Sequence, residues 1–284
     1  MGDMMQESSL SALGNAAFRA LESEEKEKIC DDPYSRKFVP TWFYSIAKFT
    51  LVTGYAEHRS PGVMGALVTR SRYIDDYLTE RIKDGIEQLI ILGAGYDSRP
   101  YRFEQLKRRV KVFEVDNYAT QNNKKDKLAK IFGALPDYVT FVPVDLTKET
   151  LENHLIDSNY NKTAKTLFIM EGLSMYLNDK TMDNILSFVT ECSGAGSSII
   201  FDYFYKSVID GNEIWRSAVY YKEKLTYGIE KGKIEGYMEA RGFKQIHEID
   251  NKELERMYCT GKNRGRAVFP GISIVSAITR SNSV

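Results

Sequence analysis

Residues Glu87–Phe103 read EQLIILGAGYDSRPYRF. An apolar run ends in Gly93-Ala94-Gly95, and an Asp, an Arg and two Tyr follow within a few residues. An apolar run that stops at a glycine turn marks a buried strand whose end is free to carry function. Glycines at such a turn let the backbone bend sharply and leave room for a ligand to approach the main chain without a Cβ in the way.

The same rhythm repeats downstream. VKVFEVD (110–116), YVTFVPVD (138–145), KTLFIMEG (165–172) and SSIIFDYF (197–204) alternate with amphipathic stretches such as NYATQNNKKDKLAKIFGAL (117–135) and TMDNILSFVTEC (181–192). Strand and helix alternating five times imply a parallel sheet covered on both faces. After Asp202 the order changes. Helical patterns at 212–228 and 233–242 precede the strands FKQIHEI (243–249) and ISIVSAITR (272–280), a final pair that suggests an antiparallel edge. Before Gly85 the chain reads as helices punctuated by Pro33, Pro40 and Pro61, which makes residues 1–85 a helical cap or lid. The expected fold is therefore α/β and Rossmann-like: a seven-stranded, mostly parallel sheet with helices on both faces and an antiparallel last strand. The cap precedes a domain over 86–284, which carries a helical insertion around 205–230.

Composition removes several function classes. Lys and Arg number 39, as do Asp and Glu, and the net charge of zero lacks the field that attracts polyanions, so no nucleic acid partner is expected. Cys30, Cys192 and Cys259 lie far apart with no C-x-x-C pair, which suggests neither a disulfide framework nor a metal site. The N-terminus has no basic region followed by an apolar one, and no apolar run reaches membrane-spanning length. A cytoplasmic protein with no membrane partner is expected.

Function must then come from the strand ends. The second strand ends in Glu114-Val115-Asp116, about twenty residues past the glycines, where an acid accepts hydrogen bonds from ribose hydroxyls. The third runs into Asp145-Leu146, a carboxylate beside an apolar residue that suits adenine. Local sequence alone favours a different role for Asp145, as the cap of a helix opening at Thr147. The fourth places Glu171 at its tip with Tyr176 just beyond, and an acid there calls for a cationic or hydrogen-bonding group opposite it. A nicotinamide dinucleotide wants a third glycine where Ser98 stands, and it wants phosphate-binding features. S-adenosylmethionine has no phosphate; it carries an ammonium, a carboxylate and a sulfonium, which match an acidic, glycine-containing crevice better.

In order and spacing, ILGAGYDSRPYRF, FEVD, VPVDL and MEGLSMYL resemble the leucine carboxyl methyltransferase family, and the likeness extends to DDPYSRKFV and TRSRYIDDYL in the cap. The resemblance implies a methyltransferase domain over 86–284 and S-adenosyl-L-methionine as methyl donor. It implies donor-binding roles for Gly93, Ala94 and Gly95 around the amino-acid end, Arg70 on the carboxylate, Asp116 with neighbouring Glu114 on the ribose, Asp145 and Leu146 on the adenine, and Glu171 near the ammonium. Arg72 is an alternative to Arg70, because the register of TRSR is open. Thr147 stands where phosphatase-directed members have an arginine, which argues against phosphatase methylation, while a protein C-terminal carboxylate stays an alternative acceptor.

The expected reaction is methyl ester formation on a small carboxylic acid, of aromatic or polyketide-like type. An ionised carboxylate needs no general base. His58 in the cap and Tyr176 are the candidates should one be required. Trp42, Phe43, Tyr44, Trp215, Tyr220 and Tyr221 form an aromatic set suited either to an acceptor pocket or to ordinary core. Methylation of a phenolic or polyketide hydroxyl, an NAD-dependent oxidoreductase and a non-catalytic cofactor-binding module stand as alternatives. The acceptor's identity and the oligomeric state are not written in the sequence.

Overall fold

The computed structural model describes residues 10–211 and 225–280. Five helices come first: α1 (Leu10–Ser23), α2 (Ser35–Phe38), α3 (Thr41–Val52), α4 (Tyr55–Arg59) and α5 (Val63–Lys83). Then follow β1 (Gln88–Leu92), the single turns α6 (Arg99–Arg102) and α7 (Leu106–Arg109), β2 (Lys111–Asp116), α8 (Tyr118–Phe132), β3 (Val139–Pro143), α9 (Leu151–Asp157) and β4 (Thr166–Met170). The remainder is α10 (Asp179–Glu191), β5 (Ser198–Phe204), α11 (Lys206–Asp210), α12 (Ile234–Glu239), β6 (Phe243–Asp250), α13 (Asn251–Tyr258) and β7 (Ile272–Thr279). Half of the insertion expected around 205–230, the part with Trp215, Tyr220 and Tyr221, lies outside the described residues.

The seven strands form one sheet in the order β3-β2-β1-β4-β5-β7-β6. Strands β1 to β5 are parallel, and β7 runs antiparallel to both neighbours. The last strand is antiparallel and the final pair forms one edge of the sheet, as expected; within that pair β7 lies inside and β6, which points the same way as β5, is outermost. The order reverses between β1 and β4, so a crevice opens at their carboxyl ends.

Alternation along the strands builds two cores. Leu89 and Ile91 of β1, with Leu167 and Ile169 of β4, face one side; Ile90, Leu92, Phe168 and Met170 face the other. The first side is covered by Leu13, Ala16 and Ala17 of α1, Val68, Ile74 and Leu78 of α5, Leu128 of α8 and Leu254 of α13. The second is covered by Leu151 and Leu155 of α9, by Met182, Ile185, Leu186 and Val189 of α10 and by Met238 of α12. The N-terminal helices therefore share a core with the sheet. Close approach is built into α5, where a Cβ on Gly65 would lie 2.0 Å from the carbonyl oxygen of Ala267.

Helix α3 departs from the sequence expectation. Tyr44 and Ala47 are buried, but Trp42, Ile46, Phe49 and Val52 point to solvent, and Trp42 is 52 % exposed. None of these is long enough in apolar register to span a bilayer: among the described residues no helix is long and apolar enough to cross a membrane.

Charge also ties the first layer together. Arg19 of α1 donates through Nε to Asp32 Oδ2 at 3.0 Å and through Nη2 to the Tyr96 carbonyl at 2.9 Å. Burial alone would raise the Asp32 carboxyl, but the Arg19 and Arg102 guanidiniums and Ser35 bring it down to about 2. A depressed carboxyl stabilises the fold above its unfolded pKa and loses that contribution as pH falls toward its folded value. The stability difference between wild type and Asp32→Asn is expected to include about 2 kcal/mol above pH 5 that fades between about pH 4 and 2. Urea melts across that range test it, and a difference independent of pH would exclude the linkage.

A chain shortened to begin at Gly85 should not fold, because Val68, Ile74 and Leu78 are each fully buried and each contributes about 1.5 to 3 kcal/mol. A cooperative thermal transition in that shortened chain, followed by circular dichroism, would contradict the shared core.

Candidate functional site

A cleft of about 370 Å³ opens at the carboxyl ends of β1 and β4, within the usual size of small-molecule sites. Its walls come from the N-terminal half of α1 (Ser11, Ala12, Asn15, Arg19), from Arg70 of α5, from the turn Gly93–Asp97, from Asp116 and Asn117, and from Glu171 to Leu173 with Tyr176.

The glycine turn is shaped by crowding on both sides. Gly93 (φ 62°) and Gly95 (φ 41°) both take left-handed backbone, which side chains adopt at a cost. A Cβ on Gly93 would meet the Leu173 side chain at 3.0 Å, and one on Gly95 would meet Ala12 Cβ at 3.0 Å. The turn is pinned from below as well. Asp116 Oδ2 accepts from Gly95 N–H at 2.5 Å and Oδ1 from Asn117 N–H at 2.7 Å, while Ala94 N–H donates to the Val115 carbonyl at 3.0 Å.

Above this turn lies a buried charge network. Arg70 donates through Nε to Glu171 Oε1 at 3.1 Å and through Nη1 to Asp202 Oδ2 at 2.7 Å. Glu171 Oε1 also accepts from Ser71 Oγ at 2.6 Å, and Oε2 lies 2.7 Å from Arg99 Nη2. Burial works to raise the Glu171 carboxyl, but Arg99 and Arg70 outweigh it and hold the group well below the usual carboxylate range. Asp202, wholly buried, is pushed up by burial and by Glu171 against the pull of Arg70. The cationic group that the sequence position of Glu171 called for is therefore internal: two arginines of the same chain.

Other sequence-selected residues fall elsewhere. Glu114 does not line the cleft. It is buried beneath the glycine turn, where Oε1 accepts from Tyr101 at 2.7 Å and Oε2 lies 2.8 Å from Lys124 Nζ. Burial raises its carboxyl against the pull of Lys124, and a carboxylate so deep is tolerated because it is paired. Asp145 is also outside the cleft lining. Its Oδ1 accepts from Thr147 N–H at 3.1 Å and from Thr147 Oγ1 at 2.6 Å, and its Oδ2 pairs with Lys148. This is the local capping role, although it closes a turn, since the next helix opens only at Leu151. Leu146 packs against the second core and lines a separate groove between α9 and α10. His58 is exposed on α4, away from the cleft, and Arg72 pairs with Asp76 on an exposed helix face, so Arg70 is the arginine of the cleft. Tyr176 does line it; Trp42, Phe43 and Tyr44 do not.

Sequence reasoning missed Asp202, Arg99 and Asn15. Asp202 had a signal, as the lone charge in the apolar strand SSIIFDYF; Arg99 and Asn15 had none, because only the fold brings them to the turn.

The cleft disfavours a dinucleotide and suits a donor without phosphate. Past the glycines there is only the four-residue α6, and its first N–H, that of Arg99, is taken by Asp97 Oδ1 at 2.8 Å. A carboxylate thus occupies the helix start where a pyrophosphate would bind. The lining sets Asp97, Asp116 and Glu171 against Arg19 and Arg70, a mixed-charge wall that fits a donor carrying both an ammonium and a carboxylate.

Comparison with known proteins agrees. The sequence profile described as leucine carboxyl methyltransferase matches residues 12–190. The Bacillus subtilis protein YktD, whose name places it among S-adenosyl-L-methionine-dependent methyltransferases, is 26% identical over 75% of this chain and 72% of its own. A similarly named protein of Mycobacterium sp. (strain KMS) is 27% identical over 93% of this chain and 92% of its own. Among solved structures, a Thermobifida fusca protein named as a methyltransferase shares the fold with a TM-score of 0.62, at 12% identity over 97% of this chain and 96% of that one. With the profile spanning more than half its length, the chain belongs to the leucine carboxyl methyltransferase family and is an S-adenosylmethionine-dependent methyltransferase.

Proposed function

We propose that the protein forms methyl esters on a small carboxylic acid. The observation that carries this reading is the titratable make-up of the cleft: its described lining contains no His, Lys or Cys, and its acids are already bound to arginines or backbone N–H groups. Of the two candidate bases only Tyr176 belongs to this wall, which suits an acceptor that arrives ionised and needs no base. Bound in the cleft, S-adenosylmethionine supplies a methyl carbon on a sulfonium leaving group.

The chain's own contribution is alignment and exclusion of water. In this reading Gly93, Ala94 and Gly95 give the donor close access to the main chain, Asp116 receives the ribose hydroxyls, and Arg70 meets the carboxylate of the amino-acid end. Among the described residues Nη2 of Arg70 is used by no hydrogen bond. Nη2 and Nη1 lie 3.4 and 3.6 Å from the place a Cβ on Gly172 would take, and Arg70 and Gly172 both line the cleft. Glu171 acts on the donor's ammonium through its field and through the arginine pair that fixes it. An aromatic or polyketide-like acid is the acceptor that the aromatic set and the family resemblance imply, and substrate screening tests it.

Asp116→Ala should weaken binding of S-adenosylhomocysteine about ten- to a hundredfold, because a charge-assisted acceptor contributes roughly 1.5 to 3 kcal/mol. Titration calorimetry reads the change, and unaltered affinity in a folded variant would put the ribose elsewhere.

The chemistry itself is tested by pH. For a carboxylate acceptor the single-turnover rate should be nearly flat across roughly pH 6 to 9, since an ordinary carboxyl titrates near 4 and Glu171, held low by its arginines, stays ionised. A screen of carboxylic acids with labelled methyl donor supplies the substrate. A rate that climbs with pH through that window would replace the carboxylate with a phenol or amine.

A further inference from the structure

Asp202 is the one acid in β5, is fully buried, and has no place in the donor contacts set out above. All three of its oxygens are committed to the cleft's walls. Oδ1 accepts from Gly172 N–H at 2.6 Å, Oδ2 accepts from Arg70 Nη1 at 2.7 Å, and the main-chain carbonyl accepts from Ser174 Oγ at 2.6 Å. A single residue thus binds a helix side chain from α5 and both ends of the Gly172–Ser174 segment. Gly172, with φ 67°, holds the turn that brings its N–H onto the carboxylate.

The geometry constrains Arg70 strongly. A guanidinium is planar with donors in a fixed fork. Glu171 takes Nε from one side and Asp202 takes Nη1 from the other, so rotation about the side chain's end is blocked and, among the described residues, Nη2 is the nitrogen these bonds leave over. The same small volume beside Gly172 is approached by Asn15 Nδ2, 3.5 Å from the place its Cβ would take, and Nη2 approaches to 3.4 Å. Two N–H donors of separate helices converge there, and any side chain at 172 would fill the gap. A carboxylate oxygen is the chemical group such a gap accepts.

We propose that Asp202 is a positioning residue for the amino-acid end of the methyl donor, acting through Arg70 Nη1 and the Gly172 N–H to set the guanidinium edge that meets the donor's carboxylate. The inference rests on the placement of that carboxylate at Arg70 proposed above. A buried ion pair with only a structural role would weaken every ligand of the cleft alike. A positioning role discriminates between ligands that carry the amino-acid tail and those that lack it.

The test uses the full-length protein and two ligands, S-adenosylhomocysteine and 5′-methylthioadenosine, which has the nucleoside but no amino-acid tail. Arg70→Met comes first. If it leaves S-adenosylhomocysteine affinity unchanged, the carboxylate lies elsewhere and the underlying placement fails. If it weakens that ligand, Asp202→Asn, which keeps an oxygen for Gly172 N–H, should weaken S-adenosylhomocysteine about tenfold or more and 5′-methylthioadenosine less than about twofold. Equal losses for both ligands, or no loss for either, overturn the positioning role while leaving the placement intact. The double variant Asp202→Asn with Arg70→Met closes the cycle. It should bind S-adenosylhomocysteine no worse than Arg70→Met alone, and a further additive loss would show that Asp202 does not act through Arg70. Because the double variant strands no buried guanidinium, it carries the same comparison if Asp202→Asn alone fails to fold.

Discussion

Arg70 is held between two carboxylates from different strands, Glu171 after β4 and Asp202 in β5, with Arg99 closing the other side of Glu171. All four groups are nearly or wholly withdrawn from water. Burying ions costs several kcal/mol each unless geometry and hydrogen bonds repay it, and here Ser71, Gly172 N–H and the reciprocal pairs do so. The network fixes the tip of β4, the face of α5 and the turn after β1 relative to one another. Those three supply much of the cleft's wall, so the site's shape depends on charges that the chain itself has paired.

The consequence for donor choice is electrostatic. A pocket with free guanidiniums would welcome a pyrophosphate, whereas one whose arginines are satisfied by the chain's own acids presents their remaining edges only. Asp97, which takes both the main-chain N–H and a guanidinium nitrogen of Arg99, applies the same logic at the first turn. The family's donor, small and with a positively charged centre, is the kind of ligand that such internal neutralisation leaves room for.

Much of the fold was legible because its signals are local. All seven strands were readable at their observed places, and helices occupy the chain before Gly85 as its pattern suggested. Non-local order was not: β7 enters between β5 and β6, a pairing decided by register and not by any residue within the strand. At the site, Gly93, Gly95, Asp116 and Glu171 were visible because strand ends advertise function. Glu114 misled, since an acid two residues from Asp116 looks equally available until Lys124 arrives from α8 to bury it. For Asp145 the local capping pattern with Thr147, legible in the sequence, is formed. Asp202 and Arg99 escaped because a buried charge declares itself only once its partner is known.

The interior position of β7 also governs the order in which the molecule can be completed. Strand β6 hydrogen-bonds only to β7, and β5 uses β7 on one side. While the chain is being made, residues 243–250 emerge before the strand that will hold them, and β5 waits with one edge bare. Long-range pairings of this kind form slowly, and unpaired edges invite association with other chains. Completion of the sheet is therefore a single late insertion that removes two sticky edges at once, and nascent or C-terminally clipped chains are the species from which aggregation would start.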